Sequence, residues 1–292
     1  MNALLACAEF AGADALRLLV GRDVEVAAVL AGPPPEGEPD IPALAAELGI
    51  PSLEPGLVRD PAFAGWIEER GIDLLLNVYA LPIIAPGVLA APRIGSFNLH
   101  PGPLPDYRGL NAASWAVAEG ERRHAATLHW VSPEVDAGPI AYDSWFEVGE
   151  SDNGLAVAAR CEVEGMKMLE RLLGDAQRGS IPMRPQPARA GSWHGREVPR
   201  EGVISWDLGA RTVVDLVRAA DHSPRVSPWG PFEARIGETE VAILRASTTG
   251  EPTDAPAGTV GRSGPRGTLV SAGDEWVLVE AVAASRRVAG RA

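Results

Sequence analysis

An amide, an imidazole and a carboxylate stand close enough in this sequence to share one site. Asn98 and His100 lie at the end of the apolar run 96–99, and Asp136 lies in a turn that ends at Gly138. Because side chains alternate across a β-strand, Asn98 and His100 would point to the same side of their strand. The glycine would let the chain bend and present the Asp136 carboxylate to the imidazole.

These three side chains suit the attack of an amine on a carbonyl carbon. A histidine takes the proton of the amine as general base, and an amide donates to the developing oxyanion. A carboxylate beside His100 would hold the tautomer of the imidazole and stabilise the imidazolium. Each residue also has a structural interpretation: a hydrogen-bonded histidine at a strand end, a turn-forming aspartate, and an asparagine that satisfies its own loop. The residue types alone leave both interpretations open.

The elements that would position these residues alternate between apolar runs and helical patterns. Residues 3–7 and 24–30 are predicted strands on either side of a helix, which indicates a βαβ unit and a doubly wound sheet. The runs 72–79 and 96–99 are predicted as further strands, and ligands of open α/β sheets bind at the carboxyl ends of strands. The first turn holds only Gly12 where a dinucleotide fold has Gly-x-Gly-x-x-Gly, so a nicotinamide cofactor is not expected.

The last third of the chain has a different pattern. Prolines and glycines are frequent over 181–202, which predicts a linker. Short strand-like runs separated by Gly-rich turns follow and are typical of a small β-barrel or sandwich. They cover residues 232–236, 240–244, 258–260, 268–270 and 275–280.

Composition excludes several classes of function. The formal net charge is -13, Lys167 is the only lysine, and the arginines are scattered, which argues against a basic nucleic-acid surface. Cys7 and Cys161 lie far apart in apolar patterns and are interpreted as buried free thiols in a reducing compartment. The N-terminus reaches Glu9 without a basic leader, so we expect a cytoplasmic protein with no membrane partner.

A longer motif surrounds the three polar residues. Residues 97–109 read Phe-Asn-Leu-His-Pro-Gly-Pro-Leu-Pro-Asp-Tyr-Arg-Gly, and Thr-Leu-His at 127–129 and Asp-Ala-Gly-Pro-Ile at 136–140 follow. This pattern resembles the signature of the folate-dependent formyltransferases, in particular their methionyl-tRNA and sugar-amine branches. The resemblance implies transfer of formyl from 10-formyltetrahydrofolate to an amine, with Asn98, His100 and Asp136 as the catalytic trio. It implies no metal, and no Cys or Glu completes a ligand set with His100, His129 and Asp136.

The resemblance also implies a fold. Residues 195–206 resemble the start of the C-terminal domain in the methionyl-tRNA and sugar-amine branches. We therefore expect the α/β class, with a Rossmann-like catalytic domain and a parallel-rich sheet over 1–180. A linker over 181–202 and a small OB-like β domain over 203–292 would follow, and the apolar run 276–279 makes a homodimer conceivable.

Binding residues follow from the same resemblance. The pterin of the folate would lie against the strand end at 78–84, held largely by backbone groups. The expected cofactor-binding residues are Val78, Tyr79, Leu81, Pro82, Ile83 and Asp136. The expected substrate-binding residues are Tyr107, Arg108 and Asn111, with Arg196 as a second candidate for an anionic substrate and Trp193 and Trp229 as candidates for stacking.

The amine acceptor is suggested by an acidic loop. The tRNA branch typically carries a basic loop after the second strand, whereas residues 32–40 contain Glu36, Glu38 and Asp40 and no base. Phosphate repulsion would oppose tRNA at this loop. We expect a small-molecule amine, either a nucleotide-linked amino sugar or an amine of specialised metabolism. The alternatives are a methionyl-tRNA formyltransferase and a catalytically inactive relative that binds folate or a nucleotide.

Overall fold

A computed structural model describes residues 1–188 and 190–285. The chain folds into two compact units. The first comprises Met1–Gly109, Ala125–Phe146 and Ala159–Trp193, and the second comprises Leu110–His124, Glu147–Ala158 and the described part of His194–Ala292. Both units are discontinuous in sequence. The continuous boundaries at 180 and 202 stay a prediction, and residues 189 and 286–292 of the predicted linker and β domain lie outside the described residues.

A seven-stranded sheet organises the first unit, in the order β3-β2-β1-β4-β5-β7-β8. The five strands from β3 to β5 in this order are mutually parallel, and β7 runs antiparallel to β5. This confirms the predicted parallel-rich sheet. The strands are β1 (Asn2–Cys7), β2 (Glu25–Leu30), β3 (Ser52–Leu53), β4 (Leu74–Val78), β5 (Gly95–His100), the two-residue β6 (Arg108–Gly109), β7 (Arg123–Trp130) and β8 (Ile140–Glu147).

Both faces of this sheet are buried, which is why its strands are continuous apolar runs. Leu5 and Leu74 belong to one core cluster, whereas their chain neighbours Leu4 and Leu75 belong to another. The helices of this unit are α1 (Glu9–Gly21), α2 (Ile41–Glu47), α3 (Phe63–Glu69) and α4 (Pro86–Ala90). The next helix, α5 (Ala112–Ala118), belongs to the second unit, and α6 (Gly154–Arg178) begins in the second unit and continues in the first. None of the described helices is long and apolar enough to cross a membrane.

The second unit contains a five-stranded antiparallel sheet in the order β10-β11-β14-β13-β12. This confirms the expected small β domain at the C-terminal side of the chain, and its strands are antiparallel. Its elements follow the two-residue β9 (Trp193–His194): α7 (Ala210–Ala220), β10 (Phe232–Ile236), β11 (Thr239–Pro252), β12 (Val260–Gly264), β13 (Gly267–Ser271) and β14 (Glu275–Ala284). Within the described residues, β10 and β12 are the two edges, and no ladder joins them into a closed barrel.

One expectation about this domain needs correction. The strand expected over 240–244 continues to Pro252, because its second half pairs with β14 and is held by main-chain hydrogen bonds rather than by an apolar pattern. In the apolar run 276–279, Val277 and Val279 lie in the core of their own unit, whereas Trp276 and Leu278 are half-buried. The homodimer stays a prediction.

Candidate active site

Three neighbouring strands place polar residues at one level of the sheet. Asn77 of β4 is the register partner of Asn98 in β5, and Asn98 is the partner of His129 in β7. Partners on adjacent strands point to the same face. The side chains of Asn77, Asn98 and His129 therefore form a row across the sheet. This row lies near the carboxyl ends of β4 and β5, where an open α/β sheet binds its ligands.

Asn98 donates to two side chains. Its Nδ2 lies 3.0 Å from Nε2 of His129 and 3.2 Å from Oδ1 of Asp136. The other ring nitrogen of His129, Nδ1, lies 2.8 Å from the carbonyl oxygen of Trp130. A proton on Nδ1 satisfies that carbonyl and leaves Nε2 to accept from Asn98, so the network assigns both the tautomer and the amide orientation.

His100 is almost fully enclosed, with 3% of its surface exposed. Its Nε2 lies 2.8 Å from the carbonyl oxygen of Tyr107, and its Nδ1 lies 3.6 Å from Oδ2 of Asp136. The shorter contact is a hydrogen bond and the longer is not. The Tyr107 carbonyl therefore fixes the tautomer of His100, a task that the sequence pattern assigns to Asp136, and the Nδ1 lone pair is left facing Asp136.

The electrostatics of the pair favour a neutral imidazole beside an ionised carboxylate. Burial lowers the pKa of His100 below its ordinary value, and His129 and Arg108 lower it further, although Asp136 acts in the opposite direction. Burial by itself would raise the pKa of Asp136. The neighbouring His100 and His129 and the N–H of Gly109 outweigh burial and hold that pKa well below its usual range.

Asp136 reaches the site because its backbone adopts an unusual conformation. Its φ is +52°, in the left-handed region that non-glycine residues seldom adopt. The carboxylate then points inward, where Oδ2 accepts from the N–H of Gly109 at 2.9 Å. Two residues later, a Cβ on Gly138 would stand 1.8 Å from the carbonyl oxygen of Trp130. The predicted glycine turn is therefore required by close packing of the backbone.

The proline-rich loop after His100 is fixed from both sides. Thr127 donates through Oγ1 to the carbonyl of Gly102 at 2.7 Å. Tyr107, with φ +55°, receives a bond from His100 at its carbonyl and donates its N–H to Oγ of Ser192 at 2.8 Å. These hydrogen bonds hold the loop in place beside the imidazole of His100.

The predicted substrate-binding residues differ in their contacts. Tyr107 is buried and holds His100 through its backbone. Arg108 donates from Nη2 to Oε1 of Gln186 at 2.7 Å, so its guanidinium braces this loop. Asn111 belongs to the second unit, where it precedes α5 with φ +57°. Trp229 packs against Trp115 rather than standing free for stacking, whereas Trp193 is 58% exposed.

The predicted cofactor-binding residues follow β4. Val78 is buried, and its carbonyl accepts from the N–H of Ala8 at 3.1 Å. Tyr79 directly follows the end of β4 and has φ +62°. Leu81 and Ile83 are 67% and 65% exposed, with Pro82 between them. Large apolar side chains exposed at a strand end indicate a binding surface.

Sequence reasoning missed His129 and Gln186 as site residues. From the sequence, His129 is part of the motif and is set aside as a metal ligand, but no contact in the site is predicted for it, because the antiparallel pairing of β7 with β5 cannot be read from residue types. Gln186 lies in the predicted linker, 50 residues from Asp136, yet its amide contacts the backbone of the Asp136 turn. In the described part of the chain no group of three or more His, Cys, Asp or Glu side chains is arranged to hold a metal ion.

Comparisons with known proteins agree with this architecture. The chain resembles the structure of an N-formyltransferase from Helicobacter canadensis, at 13% identity, a TM-score of 0.69, and coverage of 96% of this chain and 98% of that one. It resembles WlaRD, a sugar 3N-formyl transferase, at 13% identity, a TM-score of 0.72, and coverage of 96% and 97%. HypX from Aquifex aeolicus matches at 22% identity and a TM-score of 0.65, with all of this chain covering 47% of HypX. At these identities the likeness concerns the fold.

The family is given by sequence models of its two domains. The model described as formyl transferase matches residues 27–173, and the model of the formyl transferase C-terminal domain matches residues 198–291. The first match contains Asn98, His100, His129 and Asp136, and the second contains the antiparallel sheet. This chain belongs to the formyl transferase family.

Proposed function

We propose that this protein transfers the formyl group of 10-formyltetrahydrofolate to the primary amine of a nucleotide-linked amino sugar or a related small-molecule amine. The observation that carries the proposal is that the Asp136 carboxylate lies 3.2 Å from Nδ2 of Asn98 and 3.6 Å from Nδ1 of His100, near the carboxyl end of β5. This arrangement joins an amide, a neutral imidazole and a carboxylate, and these are the groups that acyl transfer to an amine needs.

The reaction assigns one task to each residue. The amine lone pair attacks the formyl carbon, and the carbonyl oxygen gains negative charge. Asn98 donates to that oxyanion by exchanging the longer of its two hydrogen bonds, the 3.2 Å bond to Asp136. The Nδ1 lone pair of His100 accepts the proton lost by the amine, and the resulting imidazolium faces the Asp136 carboxylate.

Collapse of the tetrahedral intermediate completes the balance of atoms. The bond between the formyl carbon and N10 of the folate breaks, and N10 receives the proton that His100 took from the amine. The products are a formamide on the acceptor and tetrahydrofolate. His100 returns to its neutral form, which burial favours because burial lowers the pKa of His100.

The folate would lie against the segment that follows β4. Leu81 and Ile83 offer exposed apolar surface there. Related structures support folate as the co-substrate, since the Helicobacter canadensis enzyme was crystallised with folinic acid and HypX with tetrahydrofolic acid.

A sugar acceptor has two lines of support. The Helicobacter canadensis enzyme was crystallised with dTDP-3-aminofucose as well as folinic acid. In this chain, Glu36 is exposed in the acidic loop, while Asp40 accepts from the N–H of Ala43 at 2.9 Å and caps α2. A loop with exposed acids repels the phosphates of tRNA. The buried free thiols Cys7 and Cys161 agree with our proposal of a cytoplasmic enzyme.

An acceptor screen tests this function. The purified protein is incubated with 10-formyltetrahydrofolate and either nucleotide-linked amino sugars or methionyl-tRNA, and formamide product is identified by mass spectrometry. We expect at least one amino sugar to be formylated and methionyl-tRNA to be a poor acceptor. Efficient formylation of methionyl-tRNA with no sugar formylated would contradict the proposed acceptor and favour the tRNA alternative.

A further inference from the structure

A single glutamine side chain ties together the two segments that enclose the Asp136 carboxylate. Gln186 donates from Nε2 to the carbonyl of Asp136 at 2.7 Å and to the carbonyl of Gly138 at 2.8 Å. Its Oε1 accepts from Nη2 of Arg108 at 2.7 Å. All the hydrogen-bonding groups of the amide except one lone pair are therefore used on these two segments.

These contacts close a ring with the carboxylate itself. Arg108 directly precedes Gly109, whose N–H donates to Oδ2 of Asp136 at 2.9 Å. The Asp136 segment and the Arg108 segment are thus joined twice, once through the carboxylate inside the site and once through Gln186. The bond from Gly109 to the carboxylate and the bonds of Gln186 together restrict the position of the Asp136 carboxylate relative to His100 more than either would alone.

The backbone at Asp136 needs such support. A non-glycine residue at φ +52° costs free energy, of the order of 1 kcal/mol, and persists only where its surroundings hold it. The carbonyls of residues 136 and 138 are strong acceptors that lose water when the turn packs inward. One primary amide satisfies both carbonyls, and a carboxylate in its place would satisfy neither.

From these contacts we infer that Gln186 is a positioning residue that holds the Asp136 carboxylate against His100 and Asn98. The inference rests on the proposed function for its catalytic consequence, but its structural content stands apart from the acceptor. Gln186 touches neither substrate in this account. It acts through Asp136.

Two variants test the amide, and one variant provides a matched control. Gln186→Ala removes all three hydrogen bonds, and Gln186→Glu keeps an acceptor for Arg108 while placing a carboxylate against two carbonyls. Gln177→Glu makes the same change of charge at an exposed position on α6. Asp136→Ala removes the acceptor of the Gly109 N–H and serves as the positive control.

The exchange rate of the Gly109 amide hydrogen reports whether the Asp136 carboxylate is in place, and this measurement does not depend on catalytic activity. In peptides that contain Gly109, exchange should be at least about tenfold faster in Gln186→Ala, Gln186→Glu and Asp136→Ala than in the wild type or in Gln177→Glu, because the N–H loses its acceptor. Unchanged exchange in both Gln186 variants would overturn the inference, whatever their activity.

Kinetics read the consequence. A positioning role predicts a fall of about 10-fold to 100-fold in kcat for both Gln186 variants, as for outer residues that orient a catalytic group, with KM for both substrates within about twofold. Combined with Asp136→Asn, the Gln186→Ala change should cost less than about twofold more, since its target is already lost. Full additivity of the two changes in kcat, or a change in KM alone, would contradict positioning through Asp136.

The failure of the proposed function and the failure of this inference give different results. If the wild-type protein formylates no acceptor while the Gly109 amide exchanges faster in Gln186→Ala, the proposed function is refuted and this inference is supported.

Discussion

His100 keeps only one ring nitrogen for chemistry. Nε2 is bound to the Tyr107 carbonyl at 2.8 Å, so proton transfer falls to Nδ1, which faces Asp136. The sequence indicated the three side-chain types and their shared face, because strand alternation determines both. It did not indicate the tautomer, because that depends on a backbone carbonyl seven residues along the chain.

The first prediction concerns the base and its partner. His100→Ala should lower kcat by about 10²-fold to 10⁴-fold, which is the usual contribution of a general base, and Asp136→Asn should cause a loss of similar size. Asp14→Asn, an exposed aspartate paired with Arg17 on α1, is the matched control and should be close to wild type. Near-normal steady-state turnover in both site variants would contradict the assigned roles.

The second prediction concerns pH. Burial lowers the pKa of His100 from its ordinary 6.5, so the base stays unprotonated and active to lower pH than a solvent histidine. The acid limb of the pH profile of kcat/KM, which reports ionisations of the free enzyme, should therefore lie below pH 6.5. Because the Asp136 charge raises the pKa of His100, Asp136→Asn should move the limb of the residual activity to still lower pH. A limb that moves upward in this variant would exclude His100 as the titrating base.

At the scale of elements, the strands of the first unit could be predicted because both of their faces are buried. Apolar runs at 3–7 and 72–79 correspond to β1 and β4 within two residues. The antiparallel direction of β7 could not be predicted from the sequence. Because this direction places His129 beside Asn98, their contact was missed as well. The second half of β11 was missed for a related reason: its pairing with β14 leaves no apolar pattern.

The third prediction tests the turn that carries Asp136. Gly138→Ala places a Cβ 1.8 Å from the Trp130 carbonyl oxygen, so the backbone must shift. We expect a loss of about 2 kcal/mol or more in the free energy of unfolding, because the added Cβ meets backbone at Trp130 rather than a flexible side chain. Gly87→Ala on α4, where a Cβ meets nothing within 4 Å, is the control. Denaturant unfolding of the two variants measures the difference, and equal stability would refute the close approach.

At the scale of the whole molecule, composition and pattern predicted the α/β class and a separate antiparallel β domain. The two compact units are discontinuous in sequence, since residues 110–124 and 147–158 belong to the unit that contains the C-terminal sheet, and the domain boundaries at 180 and 202 stay a prediction. Such a division depends on packing between segments distant in sequence, and neither composition nor local periodicity records that packing.

The fourth prediction concerns global stability. His222 hydrogen-bonds through Nε2 to Oγ of Ser114 at 2.8 Å, and burial lowers its pKa from 6.5 to about 4. Between pH 6.5 and about 4, His222 is protonated in the unfolded chain but neutral in the folded chain. The stability that is present above pH 6.5 is therefore lost as the pH falls toward 4. For this group the loss approaches about 1.4 kcal/mol per pH unit within that window.

Thermal unfolding at several pH values in this window measures the loss. The melting temperature should fall on acidification in the wild type, and His222→Gln should flatten that dependence even if it lowers the melting temperature at neutral pH. An unchanged slope in the variant would show that His222 is not responsible.

The central claim is formyl transfer by the centre of Asn98, His100 and Asp136, and transfer of a labelled formyl group tests it most directly. The folate carries ¹³C in its formyl group, and wild type and Asp136→Asn are compared side by side with a nucleotide-linked amino sugar. Mass spectrometry of the sugar follows the label. We predict that the wild type places labelled formyl on the amine while equimolar tetrahydrofolate appears, and that the variant does so far more slowly. Label that never reaches the amine with wild type, or reaches it equally fast with both proteins, would contradict the account.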